Sequence, residues 1–189
     1  MDLSGSMKSP VGSHQTLEQT ELDDGLIAFR CPDSGGYWIP VENYWKWQRS
    51  SHKGDDDENT SPASGPPISE FDSVVKLCPV TGTIMTRYRV GHGLDFRIDR
   101  SITGGIWLDG GEWEALQAGH MHNELHLVFT APWQQDVRNE EHAAQYDAML
   151  REKLGDELFR SLSDVRDQLI DHPARAEAVA YLQNSTSDR

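Results

Sequence analysis

The densest group of side chains able to do chemistry is His120-Met121-His122-Asn123-Glu124-Leu125-His126. In an extended chain His120, His122, Glu124 and His126 fall on one face, and in a helix His122 and His126 stand one turn apart; either geometry offers imidazole and carboxylate donors to zinc or another transition metal. The glutamate does not directly follow the first histidine, so this is not the zincin pattern, and Leu125-His126-Leu127-Val128-Phe129 also reads as a core element with polar edges. Cys31 and Cys78 each precede a proline and have no base nearby in the sequence to activate a thiolate. Two cysteines build no disulfide framework, although one bond between them stays open. Arg87 and Arg89 share one face of a strand, and Arg97 follows across a turn, a basic hairpin suited to an acidic partner. Tyr44, Trp45 and Trp47 add an aromatic partner surface if exposed. Nothing resembles a Walker loop, a Rossmann fingerprint, a nucleophile elbow or a catalytic carboxylate pair, which points to a protein without catalytic residues.

The elements that position these groups repeat. Cys31-Pro32-Asp33-Ser34-Gly35-Gly36-Tyr37-Trp38-Ile39 lies over Arg100-Ser101-Ile102-Thr103-Gly104-Gly105-Ile106-Trp107-Leu108 at an offset of 69 residues, and Ser9-Pro10-Val11-Gly12 lies over Cys78-Pro79-Val80-Thr81 at the same offset. Thr83 to Val90 and Leu94 to Asp99 read as strands joined by Gly91-His92-Gly93, a turn that reaches positive φ without strain. The first-copy hairpin is poorer, because Gln15 to Asp24 is polar. Gly111 to Leu116 reads as a short helix ending near Gly119. Further on, Ala143, Tyr146, Leu150 and Leu154 keep helical spacing up to Gly155. Leu158, Leu162, Val165 and Leu169 follow, with Asp156 as the expected N-cap, and a last helix opens at Pro173.

The order of a knuckle, a β-hairpin and a second knuckle running into Gly104-Gly105-Ile106-Trp107-Leu108-Asp109-Gly110-Gly111-Glu112-Trp113-Glu114-Ala115-Leu116 resembles the transcription-factor zinc-finger family, the TFIIB-type zinc ribbons. The resemblance covers Lys76 to Leu116 well and Lys8 to Trp47 more weakly. In that family four cysteines bind one structural zinc. Carried over, their positions fall on Ser9, Gly12, Cys31 and Ser34 in the first copy, and on Cys78, Thr81, Arg100 and Thr103 in the second. One thiol in four does not make a tetrahedral zinc site, so neither copy is expected to hold the metal. Zinc lost from such a site removes a term on the order of 10 kcal/mol. The expected replacements are the six tryptophans, Trp38 and Trp107 among them, and an Arg100 guanidinium bonded to Asp99 or Asp109.

These readings give an α+β protein: two zinc-ribbon-like β-hairpin units as a pseudo-repeat, over residues 7–48 and 68–119, an acidic linker over 49–67, and a small helical region over 120–184. The linker run Asp55-Asp56-Asp57-Glu58 lacks the rigid, converging ligands of a cation site. With 31 acidic against 17 basic side chains the chain carries a net charge of −14, which disfavours nucleic acid as a partner. No segment nears the roughly 20 apolar residues of a membrane span, and the amino terminus lacks a signal-peptide core. The expectation is a cytoplasmic, non-enzymatic interaction protein without a cofactor whose partner is another protein. Metal binding through the histidine cluster is the alternative, and transcription-factor-like nucleic-acid association a more distant one.

Overall fold

The computed structural model describes residues 7–23, 25–51 and 69–184. It is α+β. Strands β1 (Glu18–Glu21), β2 (Ile27–Arg30), β3 (Tyr37–Ile39), β4 (Thr86–Gly91), β5 (Leu94–Arg100) and β6 (Ile106–Leu108) form one antiparallel sheet in the order β1-β2-β3-β6-β5-β4. The helices are α1 (Val41–Ser51), α2 (Glu112–Ala118), α3 (Leu125–Val128), α4 (Ala131–Leu154), α5 (Asp156–Leu169) and α6 (Arg175–Asn184), with a 3-10 turn at His122–Glu124. Two compact units, Met1–Val137 and Arg138–Arg189, divide the chain. Segments 7–48 and 68–119, which read as separate units in the sequence, thus share one sheet, and residues 120–137 belong with it. The expected linker begins inside α1, which runs to Ser51; from residue 52 onward it lies outside the described residues.

Each half is a three-stranded meander followed by a helix, and the halves join where β3 pairs with β6. Tyr37 lies opposite Leu108, Trp38 opposite Trp107 and Ile39 opposite Ile106. Strands of three residues are short for a sheet centre, but both faces of this pair are covered, so its apolar side chains are buried apart from the partly buried Tyr37. On one face Leu26, Ala28, Ile39, Ile98, Ile106 and Leu108 pack against Tyr44 and Trp47 of α1, Trp113 and Leu116 of α2, and Leu125 and Val128 of α3. On the other, Trp38 and Trp107 pack with Val11, Leu17, Cys31, Cys78 and Met85 from the knuckles. The tryptophans alternate with the aliphatic residues because successive strand side chains point to opposite faces.

The paired glycines of each half make room for the other half's tryptophan. A Cβ on Gly105 would strike the Trp38 ring, and one on Gly36 would stand 2.5 Å from Cζ2 of Trp107 and 2.8 Å from the Leu108 carbonyl oxygen. Neither glycine has positive φ, so close approach alone demands them. At the β4–β5 turn the demand is conformational instead: Gly91, His92 and Gly93 have φ of 72°, 51° and 87°. Trp133 then fixes this hairpin from α4, its indole N–H donating to the Val90 carbonyl at 2.8 Å, while a Cβ on Gly91 would strike Val137.

A charged network occupies the second half. The Lys76 ammonium, its side chain fully buried, donates to Asp99 at 2.8 Å and to the Phe71 carbonyl at 2.9 Å, and lies 3.2 Å from Asp109. Asp109 in turn accepts the Trp107 indole N–H at 2.7 Å, and its own backbone N–H donates to Glu112 at 2.7 Å. Burial pushes the Asp99 carboxyl up despite the bond and charge of Lys76. Burial, with the neighbouring charge of Asp109, pushes Glu112 well above the ordinary carboxylate range. These side chains lie in a unit whose sequence offered Arg100 as the partner of Asp99 and Asp109; Lys76 holds both.

In the unit Arg138–Arg189, α5 starts after Gly155, whose φ is 80°, and no side chain caps it, so Asp156 is the first helical residue and not the cap. Phe159 is buried beneath the Arg151 guanidinium, 4.9 Å from the ring centroid. Arg166 approaches Asp147 at 3.7 Å, an exposed pair that contributes little. The last helix opens at Arg175, after a turn that contains Pro173.

Two outcomes follow for stability. Gly105→Ala and Gly36→Ala each cost about 1–3 kcal/mol in denaturant unfolding, the range of an overpacked core, and shortening the opposing ring in Gly105→Ala/Trp38→Leu costs less than the sum of the single changes. The raised carboxyl of Glu112 withdraws stability as pH climbs from its unfolded value, near 4.3, towards its folded one. Glu112→Gln therefore melts above the native chain at pH 7.5, and the two melting temperatures converge towards pH 4, where the glutamate is protonated folded and unfolded alike.

Candidate functional site

Two groups that lie far apart in the sequence, the aromatics of α1 and the histidines after α2, meet in the structure. The Tyr44 hydroxyl donates to the Asn123 carbonyl at 2.9 Å and sits 3.3 Å from Nδ1 of His126. Burial, with a smaller push from the Glu124 charge, raises this phenol to about 12. The His126 ring lies 4.9 Å from the Trp45 ring, while His122 stands 5.9 Å from both Trp47 and Trp113, which are themselves 6.0 Å apart. Burial holds His122 below the usual imidazole range.

This meeting corrects the aromatic partner surface. Tyr44 and Trp47 are 1% and 3% exposed and form core; Trp45, at 39%, alone reaches solvent. It also separates the histidines. His120 occupies a turn with φ of 55°, His122 and His126 enter different aromatic surroundings, and Glu124 is exposed. Among the described residues no group of three or more His, Cys, Asp or Glu side chains is arranged to hold a metal ion.

Beside the cluster a small cavity of about 50 Å³ opens between Tyr44, Trp45, His126, Phe129, Gly104 and Arg100. Arg100 points here, away from the knuckles, with its guanidinium 4.9 Å from the centroid of Phe129. It does not stand at a ligand position. In the first half the Cys31 N–H donates to the Gly36 carbonyl; the matching bond in the second half runs from Ser101 to Gly105. That knuckle is one residue shorter, so Ser101, and not Arg100, stands where Cys31 does. An alignment without gaps cannot reveal such a deletion.

With that change each half has one thiol among hydroxyls: Cys31 with Ser9 and Ser34, and Cys78 with Thr81, Ser101 and Thr103. Hydroxyl oxygens accept the turn N–H groups here. Val11 N–H donates to Ser9 Oγ at 3.3 Å, Gly36 N–H to Ser34 Oγ at 3.3 Å, and Thr103 N–H to Ser101 Oγ at 3.3 Å. Ser34 N–H reaches the Cys31 sulfur at 3.4 Å. Burial acts to raise the Cys31 thiol, but hydrogen bonds from Ser34, Ser9 and Asp33 together outweigh it and leave the pKa below the ordinary value. Cys78 is lowered in the same way, burial being outweighed by Ser101, Thr81 and Val80. One thiol with neutral hydroxyls does not suit a tetrahedral zinc ion, which takes thiolate, imidazole or carboxylate donors. In the first half Asp33 links the knuckles directly, accepting the Ser13 hydroxyl at 2.6 Å and its N–H at 3.2 Å.

The arginine hairpin is largely engaged within the chain. Arg87 lies 3.6 Å from Asp99 and donates to the Val74 carbonyl, while Arg97 meets Asp72 at 2.5 Å through its side chain and 2.7 Å through its backbone N–H. Arg89, directly opposite Arg97, offers its carbonyl to Gln134. Asp72 and Lys76 escaped the sequence reading because neither lies in a motif; a charge beside strands of alternating apolar residues was their one signal.

A different surface emerges at the second-half knuckles. Leu77 and Ile84 face each other across an isolated antiparallel bridge and are 50% and 70% exposed; Val80 in the turn between them is 46% exposed, and Ile102 in the other knuckle 87%. The first half has Lys8, Thr16 and Pro32 at the positions of Leu77, Ile84 and Ile102, and its Val11, equivalent to Val80, is buried.

Comparison with known protein families, with curated proteins and with solved structures finds no match to this chain. No helix among the described residues is long and apolar enough to cross a membrane.

The contrast between the two cationic side chains sets an expected outcome in equilibrium unfolding. Arg100→Ala gives up one contact with Phe129 and loses about 0.5–1 kcal/mol. Lys76→Met leaves Asp109 buried without a counter-charge and Asp99 with Arg87 alone, and loses about 3–5 kcal/mol.

Proposed function

We propose that this chain is a non-enzymatic protein-interaction scaffold, built on two metal-free units of TFIIB zinc-ribbon type that use each other, hydrogen-bonded knuckles and a buried lysine in place of zinc. One observation carries the interaction reading: the apolar knuckle patch of Leu77, Val80, Ile84 and Ile102 belongs to the second half alone. Aliphatic side chains at turn tips gain nothing from water, and the equivalent first-half sites hold the polar Lys8 and Thr16, the buried Val11 and the smaller Pro32. Burying such a patch against a partner yields roughly 25 cal/mol per Å² of apolar area before the costs of association. The partner is a protein with a matching apolar surface. An acidic chain with Arg87 and Arg97 already paired to carboxylates favours this over nucleic acid.

Site-specific photo-crosslinking tests the reading. A benzoylphenylalanine at Ile102 is expected to capture one predominant polypeptide in the native host, and the same probe at Pro32, the equivalent first-half position, is not. Capture lost in Leu77→Ser/Ile84→Ser, with the melting temperature kept, supports the patch as the contact. Equal and diffuse labelling from both positions contradicts it.

A further inference from the structure

The cleft at Arg100 lies on the helix-covered face of the sheet, opposite the knuckles, and is independent of the interaction patch. Among the described residues Arg100 makes no ion pair, in a chain with 31 acidic side chains against 17 basic ones; its guanidinium lies over the Phe129 ring. Arg87 and Arg97, in the same hairpin, both meet carboxylates. Arg100 instead borders a cavity of about 50 Å³ walled by Trp45, His126 and Phe129. A space of this size has room for a small group such as a carboxylate. The Tyr44 hydroxyl, also at the wall, is engaged with the Asn123 carbonyl. The His126 Nδ1 is likewise engaged with Tyr44. The guanidinium is therefore the cationic group left for an occupant, and it donates to an anion.

The other half supplies an internal comparison. Arg30 precedes Cys31 as Arg100 precedes Ser101, so the two arginines occupy matching strand ends; Gly35 then matches Gly104, Tyr37 matches Ile106, and Glu114 matches Trp45. Arg30 Nη2 lies 3.9 Å from a Cβ built on Gly35, and in the same corner Glu114 accepts the Tyr37 hydroxyl at 3.5 Å. That corner has a carboxylate from the chain itself. The Arg100 corner has an indole wall and a hollow.

We propose that the Arg100 cleft binds a carboxylate group, held by the planar guanidinium and walled by Trp45 and Phe129. The two donors of a guanidinium edge match the two oxygens of a carboxylate, and a partly buried cleft strengthens the pair. The carboxylate comes from an acidic side chain, from the end of a polypeptide or from a small free acid.

Nuclear magnetic resonance of the full-length ¹⁵N-labelled protein decides it, with the Trp45 indole signal identified by its loss in Trp45→Phe. Sodium acetate is expected to move this signal saturably, where sodium chloride at equal ionic strength does not. Arg100→Gln should weaken the acetate response about tenfold or more, with the other indole signals unmoved as proof of fold, and Arg100→Lys should fall between. A blocked peptide with an internal glutamate, a peptide with a free carboxyl terminus and its amide then identify the source. Response to acetate alone supports the cleft with a free acid as its ligand. A shift reproduced by chloride, a tighter response to inorganic phosphate, or an undiminished response in Arg100→Gln overturns the proposal. None of these outcomes bears on the knuckle patch, which crosslinking tests separately.

Discussion

Pairing of β3 with β6 is the constraint on which the rest of the fold depends. Without it each half is a meander with an apolar edge strand of three residues, an open template for association that proteins rarely leave bare. With it, six strands share one sheet, and the Trp38–Trp107 pair sits at its middle. The contact is reciprocal: each indole rests on the other half's second glycine, so neither tryptophan finds its seat unless the other half is folded. Glycine here is required for space, not for φ. That reciprocity makes the halves interdependent although their knuckles differ.

The knuckles close on hydrogen bonds. Hydroxyl oxygens take over the acceptance of turn N–H groups, at about the distances a side-chain oxygen allows, and one thiol per half remains among them. What ties knuckle to knuckle differs between the halves. In the first, Asp33 reaches across to Ser13; in the second, Lys76 connects the segment before the knuckle to Asp99 and Asp109. A buried ammonium between two carboxylates has a large desolvation cost, and burial of the carboxyls themselves pushes up Asp99 and, beside the network, Glu112. A hydrogen-bonded knuckle can also carry apolar side chains on its tips, as Leu77, Val80, Ile84 and Ile102 do.

Spacing made the repeat legible: the common offset, the glycine pairs and the matching tryptophans locate both turns, and the second half's short helix reads with them, while α1 does not read as a helix. The α4 and α5 stripes were legible because a 3.6-residue period survives without any partner. What escaped is physical in each case. The β3–β6 pairing joins two segments of three residues, too short to show a period. A one-residue deletion between Ser101 and Gly105 moved Arg100 off the ligand position and onto Phe129, and no identity of residues marks that shift. The aromatics of α1 looked like an exposed surface because three of them fall within four residues, whereas the helix turns Tyr44 and Trp47 inward and only Trp45 outward. The histidines looked like a ligand set because they are dense, yet the short 3-10 turn and α3 send His122 and His126 to different neighbours.

The proposed account makes the two halves each other's support, with no metal needed at either knuckle pair, and native-state hydrogen exchange of the β3 and β6 amides tests that most directly. The amides of Trp38 and Trp107 should exchange only through global unfolding, as slowly as the best-protected amides of β4 and β5, and a strong chelator should leave their rates unchanged. Exchange of Trp38 and Trp107 well ahead of β4 and β5, or its acceleration when metal is removed, would show instead that the halves separate readily or that zinc holds them, and would contradict the account.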